Sequence, residues 1–261
     1  MQLQDLSKTS GLDLKLDTKK HELIFGGGIT KVNPAIRFLE DIKEILVQKD
    51  ITKPDELYYM YRDLHKAGDE KLIRRNALRY DVTIIRADRL GSEFMKTAGH
   101  YHPGDYGELY EVLSGEAWCL LQKPNVKDKR VIEDVILVKA KAQDKIVIPP
   151  GYGHILINVA KEDLVTSNWV SSEFSSEYEL YKKAKGAAYY IFEDSLSERF
   201  ELNPYFREVA KIRPAEPVKE IKKFGLRSGV PMYPLLHHEV KKLDFLNNPL
   251  KYDYSDVFVF L

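Results

Sequence analysis

The chain has 261 residues, enough to bury a sizeable core, and its 44% hydrophobic and 31% charged residues exclude disorder over most of the length. Forty basic side chains balance forty acidic ones, so it lacks the field of a protein that coats nucleic acid or an anionic membrane, while leaving room for a local pocket that takes one phosphate. No apolar run approaches the ~20 residues of a membrane span, MQLQDLSKTS is not a signal peptide, and the single Cys119 cannot form an internal disulfide; the expectation is a cytoplasmic protein.

In chain order, residues 1–75 read as a strand-poor arm with two helices. In NPAIRFLEDIKEILV, Asn33 is placed to cap, Pro34 suits the first helical position, and Ile36, Leu39, Ile42 and Leu46 recur at helical spacing. KPDELYYMYRDLH repeats the device, with Pro54 near its start and Leu57, Met60 and Leu64 on one side. GGG at 26–28 lacks the strand-loop-helix setting of a phosphate loop and reads as a turn. From 76 to 195 the texture changes to short β-rich runs such as RYDVTIIRA, ELYEVLSG, EAWCLLQ, DKIVIPPG and HILINVA. Their turn residues predict an antiparallel sandwich or small barrel, with Cys119 as a buried apolar side chain. Half of the twelve prolines fall in the last 61 residues, which predicts an extended strap over 196–261, lying on the barrel or on a second subunit. The ending DVFVFL predicts a packed terminus. His237 and His238 read as a polar turn and KEIKK at 219–223 as a solvated face.

The chemistry concentrates in TAGHYHPGDYGELYEVLSG, residues 97–115. On a strand, positions i and i+2 share a face, so His100 and His102 project together; Glu108 and Tyr110 do so on the next strand. GDYG would then be the hairpin that brings Glu108 opposite the histidines. Taken alone, H-x-H reads equally as two polar side chains on a wet face or a proton-relay pair. IPPGYGHILIN at 148–158 shifts the balance, because it delivers His154 after a rigid Pro-Pro-Gly turn on a strand that could return to the same cavity. Three histidines and one glutamate suit Fe(II), Mn(II), Ni(II), Co(II) or Zn(II), and a set without cysteine argues against a structural zinc and for a catalytic ion.

H-x-H-x5-E-x6-G followed by P-P-x3-H-x3-N resembles the two-motif signature of the cupin superfamily. TAGHYH (97–102), ELYEVLSG (108–115) and PPGYGHILIN (149–158) are similar to the cupin-type glucose-6-phosphate isomerases of archaea and some bacteria, over roughly residues 75–195. The resemblance implies an all-β core: a double-stranded β-helix (jelly-roll) barrel over 76–195, with N-terminal helices and a C-terminal strap. It also implies a homodimer with one divalent metal per subunit, Fe(II) first, that interconverts glucose 6-phosphate and fructose 6-phosphate. Carried over position by position, His100, His102, Glu108 and His154 would hold the metal and Tyr110 would lie over the sugar. Thr83, Thr97 and the backbone of Gly99 would meet the phosphate, and Tyr178 would close the site from the other side. Two positions depart from the pattern. Ser176 stands where some members have a histidine, and Trp169 or Val170 falls where a tyrosine helps hold phosphate; Ser171, Ser172 or a lysine would have to compensate.

Isomerisation moves hydrogen between C1 and C2 of the open-chain sugar. It can run through an enediolate with Glu108 as the base, or by a direct hydride shift that needs no base. The competing readings are a cupin Fe(II) dioxygenase built on the same ligands and a sugar-phosphate-binding cupin without turnover.

Overall fold

The computed structural model of the chain describes residues 2–194 and 198–261. Two sheets face one another around the core. The first, here the site sheet, is antiparallel in the order Lys145–Ile148, Glu108–Ser114, Leu164–Ser171, Leu78–Ile85, Glu56–Tyr61, Ala35–Phe38. The second, the back sheet, runs Glu198–Leu202, Tyr189–Glu193, Glu93–Lys96, Gly153–Asn158, Glu116–Pro124, Val131–Lys141, Ile212–Pro217, Phe258–Phe260. The chain alternates between the sheets, as the expected jelly-roll barrel requires, and the strands of 76–195 form most of both.

Alternation sorts the side chains of the site sheet. Along Leu78–Ile85, Tyr80, Val82 and Ile84 point away from the partner sheet, while Arg79, Asp81 and Thr83 line a cavity between the two. The outward face is not left to solvent. The C-terminal strap covers it, seating Tyr233 on Tyr80 and Trp169 with ring centroids 5.0 and 5.6 Å apart, while the Trp169 indole N–H donates to the Met232 carbonyl at 3.3 Å. Each such fully buried large side chain contributes ~1.5–3 kcal/mol, so the strap is part of the core. Ile212–Pro217 extends it as a strand parallel to Val131–Lys141, and Phe258–Phe260 pairs beyond that. The terminus is only half packed as expected: Val257 and Phe258 are buried, but Val259, Phe260 and Leu261 lie open.

The N-terminal arm departs furthest from its sequence reading. It is not strand-poor: Leu3–Asp5, Leu14–Asp17 and Glu22–Phe25 form a small antiparallel sheet. The first predicted helix begins as the strand Ala35–Phe38 and becomes helical only over Leu39–Ile42 and the 3-10 turn Lys43–Ile45. Leu39, Ile42, Ile45 and Leu46 are buried, so the helical period is real, but it starts one turn later than Asn33 and Pro34 suggested. The second predicted helix is the strand Glu56–Tyr61. Leu57, Tyr58, Tyr59 and Tyr61 are all buried, and a strand covered on both faces shows a continuous apolar run instead of alternation. In such a run the 3.6-residue spacing of Leu57, Met60 and Leu64 arises by accident, while tyrosine favours the pleated sheet. Both strands complete the site sheet, so the barrel wall begins near residue 35. GGG at 26–28 is a turn.

Candidate metal centre and sugar cavity

Backbone pairing explains why two distant motifs meet. Ile148 pairs with Glu108 in the site sheet, and the turn Pro149–Tyr152 carries the chain across to the back sheet, where His154 pairs with Leu121. On its other side His154 forms a two-way bridge with His100, N–H to O at 3.2 and 3.0 Å. The crossing needs Gly99: its φ is +70°, and a Cβ there would stand 2.4 Å from Cγ1 of Ile155. GDYG does not make the expected hairpin. The segment turns a corner from the back-sheet side to the first residue of Glu108–Ser114 in the opposite sheet, and so aims Glu108 at the histidines from across the cavity.

Three imidazoles converge on one carboxylate oxygen. Nε2 of His154, His102 and His100 lie 3.0, 3.3 and 3.8 Å from Oε2 of Glu108, and Nε2 of His100 is 3.2 Å from that of His102. Ligands that bind one ion at ~2.1 Å in adjacent positions stand ~3 Å apart, so the set has the spacing of a coordination sphere. Oε2 is buried and makes no directional hydrogen bond, whereas Oε1 accepts from Nδ2 of Asn168 at 2.7 Å. Asn168 thereby fixes which oxygen faces inward. The Tyr106 carbonyl lies 3.2 Å from Nδ1 of His102; holding the proton there leaves the Nε2 lone pair free toward the centre. Charge states agree. Burial, with His154 beside it, pushes His100 well below the usual imidazole value, and burial lowers His154, so both are neutral. Burial alone would raise Glu108, but His102 and His154 outweigh it and hold the group well below the usual range as a carboxylate. Neutral imidazole and ionised carboxylate are the forms that bind metal. The four residues fit a divalent ion.

The cluster opens on a cavity of about 250 Å³. Tyr110 lines it, its hydroxyl 3.3 Å from Nε2 of His154; burial first, then the Glu108 charge, keeps it a phenol. Thr83, Thr97, Gly99 and Tyr178 line it too, so every predicted site residue reaches one space except His154, which reaches it through the cluster. Oγ1 of Thr97 accepts from the Leu156 N–H at 3.1 Å, and the Tyr178 ring lies 5.8 Å from that of His100. Ser176 and Val170 line the cavity, whereas Trp169 points out under the strap. Ser171 is not a phosphate contact, because its hydroxyl donates to Oδ1 of Asn247. The Ser172 backbone N–H donates to the Ala77 carbonyl, and neither Ser172 nor any lysine lines the cavity among the described residues.

The sequence reading missed Tyr58, Arg62, Arg79, Asp81 and Asn168, all of which line the cavity. The i±2 rule applied to Thr83 would have found Asp81 and Arg79. Tyr58 was hidden inside the misread helix. Its hydroxyl accepts from the Ala98 N–H at 3.2 Å, and the Arg37 guanidinium stands 5.9 Å from the ring centres of both Tyr58 and Tyr178.

Fold and site together define a cupin-type protein with a His/His/Glu/His cluster that could hold a metal ion. A model of the family described as glucose-6-phosphate isomerase (GPI) matches residues 37–207, and the chain belongs to that family. It is 23% identical over 203 residues to the glucose-6-phosphate isomerase of Thermococcus kodakarensis, covering 76% of this chain and 96% of that protein. It is 28% identical over 149 residues to that of Pyrococcus abyssi, covering 53% and 70%. A putative glucose-6-phosphate isomerase 1 of Rhizobium meliloti is 27% identical over 122 residues, covering 46% and 54%. Among solved structures, an oxalate oxidase (18% identical, TM-score 0.29, covering 38% of this chain and 42% of that one) and the oxalate decarboxylase of Bacillus subtilis (15%, TM-score 0.33, 46% and 27%) are similar only at a level that bears on no chemistry. No helix among the described residues is long and apolar enough to cross a membrane.

Proposed function

We propose that the protein interconverts glucose 6-phosphate and fructose 6-phosphate. The observation that carries this reading is the convergence of three imidazole nitrogens on Glu108 Oε2 at one end of a cavity whose other walls bear Thr83, Thr97, Tyr58 and the Gly99 backbone. Iron(II), held by His100, His102, Glu108 and His154, is the ion we propose, and when bound it supplies Lewis acidity toward the vicinal oxygens of the open-chain sugar.

The remaining work belongs to side chains. Thr83, Thr97, Tyr58 and the Gly99 backbone take the phosphate, with Arg37 behind Tyr58 supplying positive potential toward the dianion. Tyr110 and Tyr178 sandwich the carbon chain and exclude water. Glu108 is the carboxylate nearest the carbons that exchange hydrogen, and we assign it the proton carried from C2 to C1. Metal-loaded Glu108→Gln should then lose on the order of 10²- to 10⁴-fold in kcat, and isomerisation in D₂O should place deuterium at C2 of recovered glucose 6-phosphate. An active variant together with unlabelled sugar would assign the step to a hydride shift.

The primary test is incubation of metal-loaded protein with glucose 6-phosphate without O₂, where fructose 6-phosphate is expected. Tight binding without product under any of the five metals would make the protein a sugar-phosphate binder, and turnover that needs O₂ would make it a dioxygenase. An isomerase with this substrate would serve glycolysis and gluconeogenesis, and we propose the cytoplasm as its compartment. We further propose a homodimer: Leu202 on one edge strand of the back sheet and Val259 and Phe260 on the other are open apolar surface that a second copy would cover. Sedimentation showing only monomer at micromolar concentration would refute it.

A further inference from the structure

Running from the row of Glu108 toward Thr83, the site sheet carries a charged pair, Arg79 and Asp81, that is no part of the metal-ligand set. Arg79, Asp81 and Thr83 project to the same face of one strand, a pleat of ~6.6 Å separating each from the next. In register, Arg79 lies opposite Val170, which lies opposite Glu108, and Asp81 lies opposite Asn168, which lies opposite Tyr110. Asp81 therefore occupies the row of the sheet that holds the Glu108 anchor and the tyrosine over the sugar. Thr83 lies one pleat further, toward the phosphate.

The pair is built rigidly. Nε of Arg79 donates to Oδ1 and Oδ2 of Asp81 at 2.9 and 3.0 Å, Nη2 reaches Oδ2 at 2.9 Å, and the Asp63 N–H donates to Oδ1 at 2.9 Å. Asp81 is 5% exposed and Arg79 about one-third exposed. Burial raises the Asp81 carboxyl, Arg79 works against it, and the Glu108 charge adds to the rise, so the pair lies within the field of the metal centre. A buried ion pair is often no better for stability than apolar residues of the same volume, and its presence in a cavity wall calls for another use. Its charges cancel, which suits it poorly to a second phosphate. It offers a fixed acceptor on Oδ2 beside guanidinium N–H groups on Nη1 that no hydrogen bond among the described residues engages. A hydroxyl, which donates once and accepts at the same oxygen, is the complement of that arrangement.

We propose that Arg79 and Asp81 clamp the middle hydroxyls of the open-chain sugar, O3 and O4, and so determine which sugar phosphates are turned over. This rests on the isomerase reading above, in which O1 and O2 lie at the metal end and the phosphate at Thr83 and Thr97. Unlike a bare apolar wall, a site built to bond a hydroxyl discriminates strongly against an analogue that lacks it, because its own polar groups are left unpaired.

The test compares glucose 6-phosphate with its 3-deoxy and 4-deoxy analogues on the metal-loaded enzyme, using the wild type, Arg79→Lys and Asp81→Asn, with near-ultraviolet circular dichroism to verify folding. Wild type should lose on the order of 10- to 100-fold in kcat/KM on at least one deoxy sugar. Both variants should lose a similar factor on glucose 6-phosphate and nothing further on that same deoxy sugar. Equal losses on all three substrates would reduce the pair to a structural role and overturn the proposal. So would wild-type turnover of both deoxy sugars at the full rate, a result that needs no variant to fold. If wild type does not isomerise glucose 6-phosphate at all, the isomerase reading fails, and calorimetric affinities for the same three sugar phosphates test the clamp separately by the same pattern.

Discussion

On one side of the cavity, His100, His102 and His154 are set by two short motifs whose backbones bridge each other directly; on the other, Tyr58, Arg79, Asp81, Thr83 and Asn168 come from three neighbouring strands spread from residue 58 to residue 168. The difference reflects what each side must do. An ion demands several donors at fixed short range, which only a tight turn such as Pro149–Tyr152 and a glycine such as Gly99 can deliver, so the requirement is written into a few adjacent letters. A sugar is met by single contacts from a broad wall. The site sheet supplies these through alternation, one residue in two, and no compact motif results.

The metal side should break first and hardest. His154→Ala removes a donor from the middle of the cluster, and chelation of the wild-type protein removes the ion itself. Each should lower kcat on the order of 10⁴-fold or more, metal content measured on the same samples falling in parallel. Substantial activity in metal-free protein would dissolve the contrast between the two walls.

A second prediction turns the site sheet over. On the face away from the cavity, Glu111 forms a buried pair with Nζ of Lys145 at 2.7 Å and accepts from the Met232 N–H at 3.1 Å, so that it ties the strap to the barrel. Burial, against the attraction of Lys145, pushes its carboxyl up to about 7. Glu111→Ala leaves Lys145 charged and unpaired and should cost about 3–5 kcal/mol in denaturant melts, whereas Glu111→Met with Lys145→Met should recover most of it. Arg79→Lys, on the cavity face, should change substrate preference far more than stability. If both faces responded alike, the division between a structural and a functional ion pair would fall.

Acidification discriminates by smaller steps. In the metal-free protein the folded pKa values of His100 and His154 lie below the ordinary 6.5, so the unfolded chain binds more protons below that pH, and stability present above it is lost as pH falls. Glu108, also lowered, adds its own loss below about 4.5. Glu111, raised to about 7, runs the other way and adds stability as pH falls over the same range, so the melting temperature should decline from pH 6.5 downward in the metal-free Glu111→Met, Lys145→Met protein, and added metal should offset the decline where it still binds. A flat profile between pH 7 and 5 would mean that the imidazoles are not held neutral.

The barrel was legible from its punctuated β-rich runs, and H-x-H with the rigid turn before His154 marked side chains that the structure brings together with Glu108. The arm was not, for reasons of burial. Glu56–Tyr61 is covered on both faces by the barrel interior and by N-terminal residues such as Leu23, whose N–H donates to the Tyr61 hydroxyl at 3.0 Å, and a doubly covered strand loses the period that would identify it. Misreading that strand as a helix concealed Tyr58. Reading Leu78–Ile85 only for Thr83 concealed Arg79 and Asp81, although the alternation that exposes one exposes all three.

The smallest effect should sharpen the comparison most. Thr83→Val is nearly isosteric, keeps β-branching in the centre of a strand, and removes only a hydroxyl for which the chain itself provides no hydrogen-bond partner among the described residues. Stability should change little. If the phosphate rests at Thr83 and Thr97, the lost contact is made equally in ground and transition states, so KM for glucose 6-phosphate should rise on the order of 10-fold while kcat holds. Thr97→Val is a poorer probe, since its Oγ1 also accepts from the Leu156 N–H and its loss would loosen the strand beside Gly99. An unchanged KM in Thr83→Val would move the phosphate away from this end, toward Arg62 at the mouth, and would reverse the direction in which the sugar lies across Arg79 and Asp81.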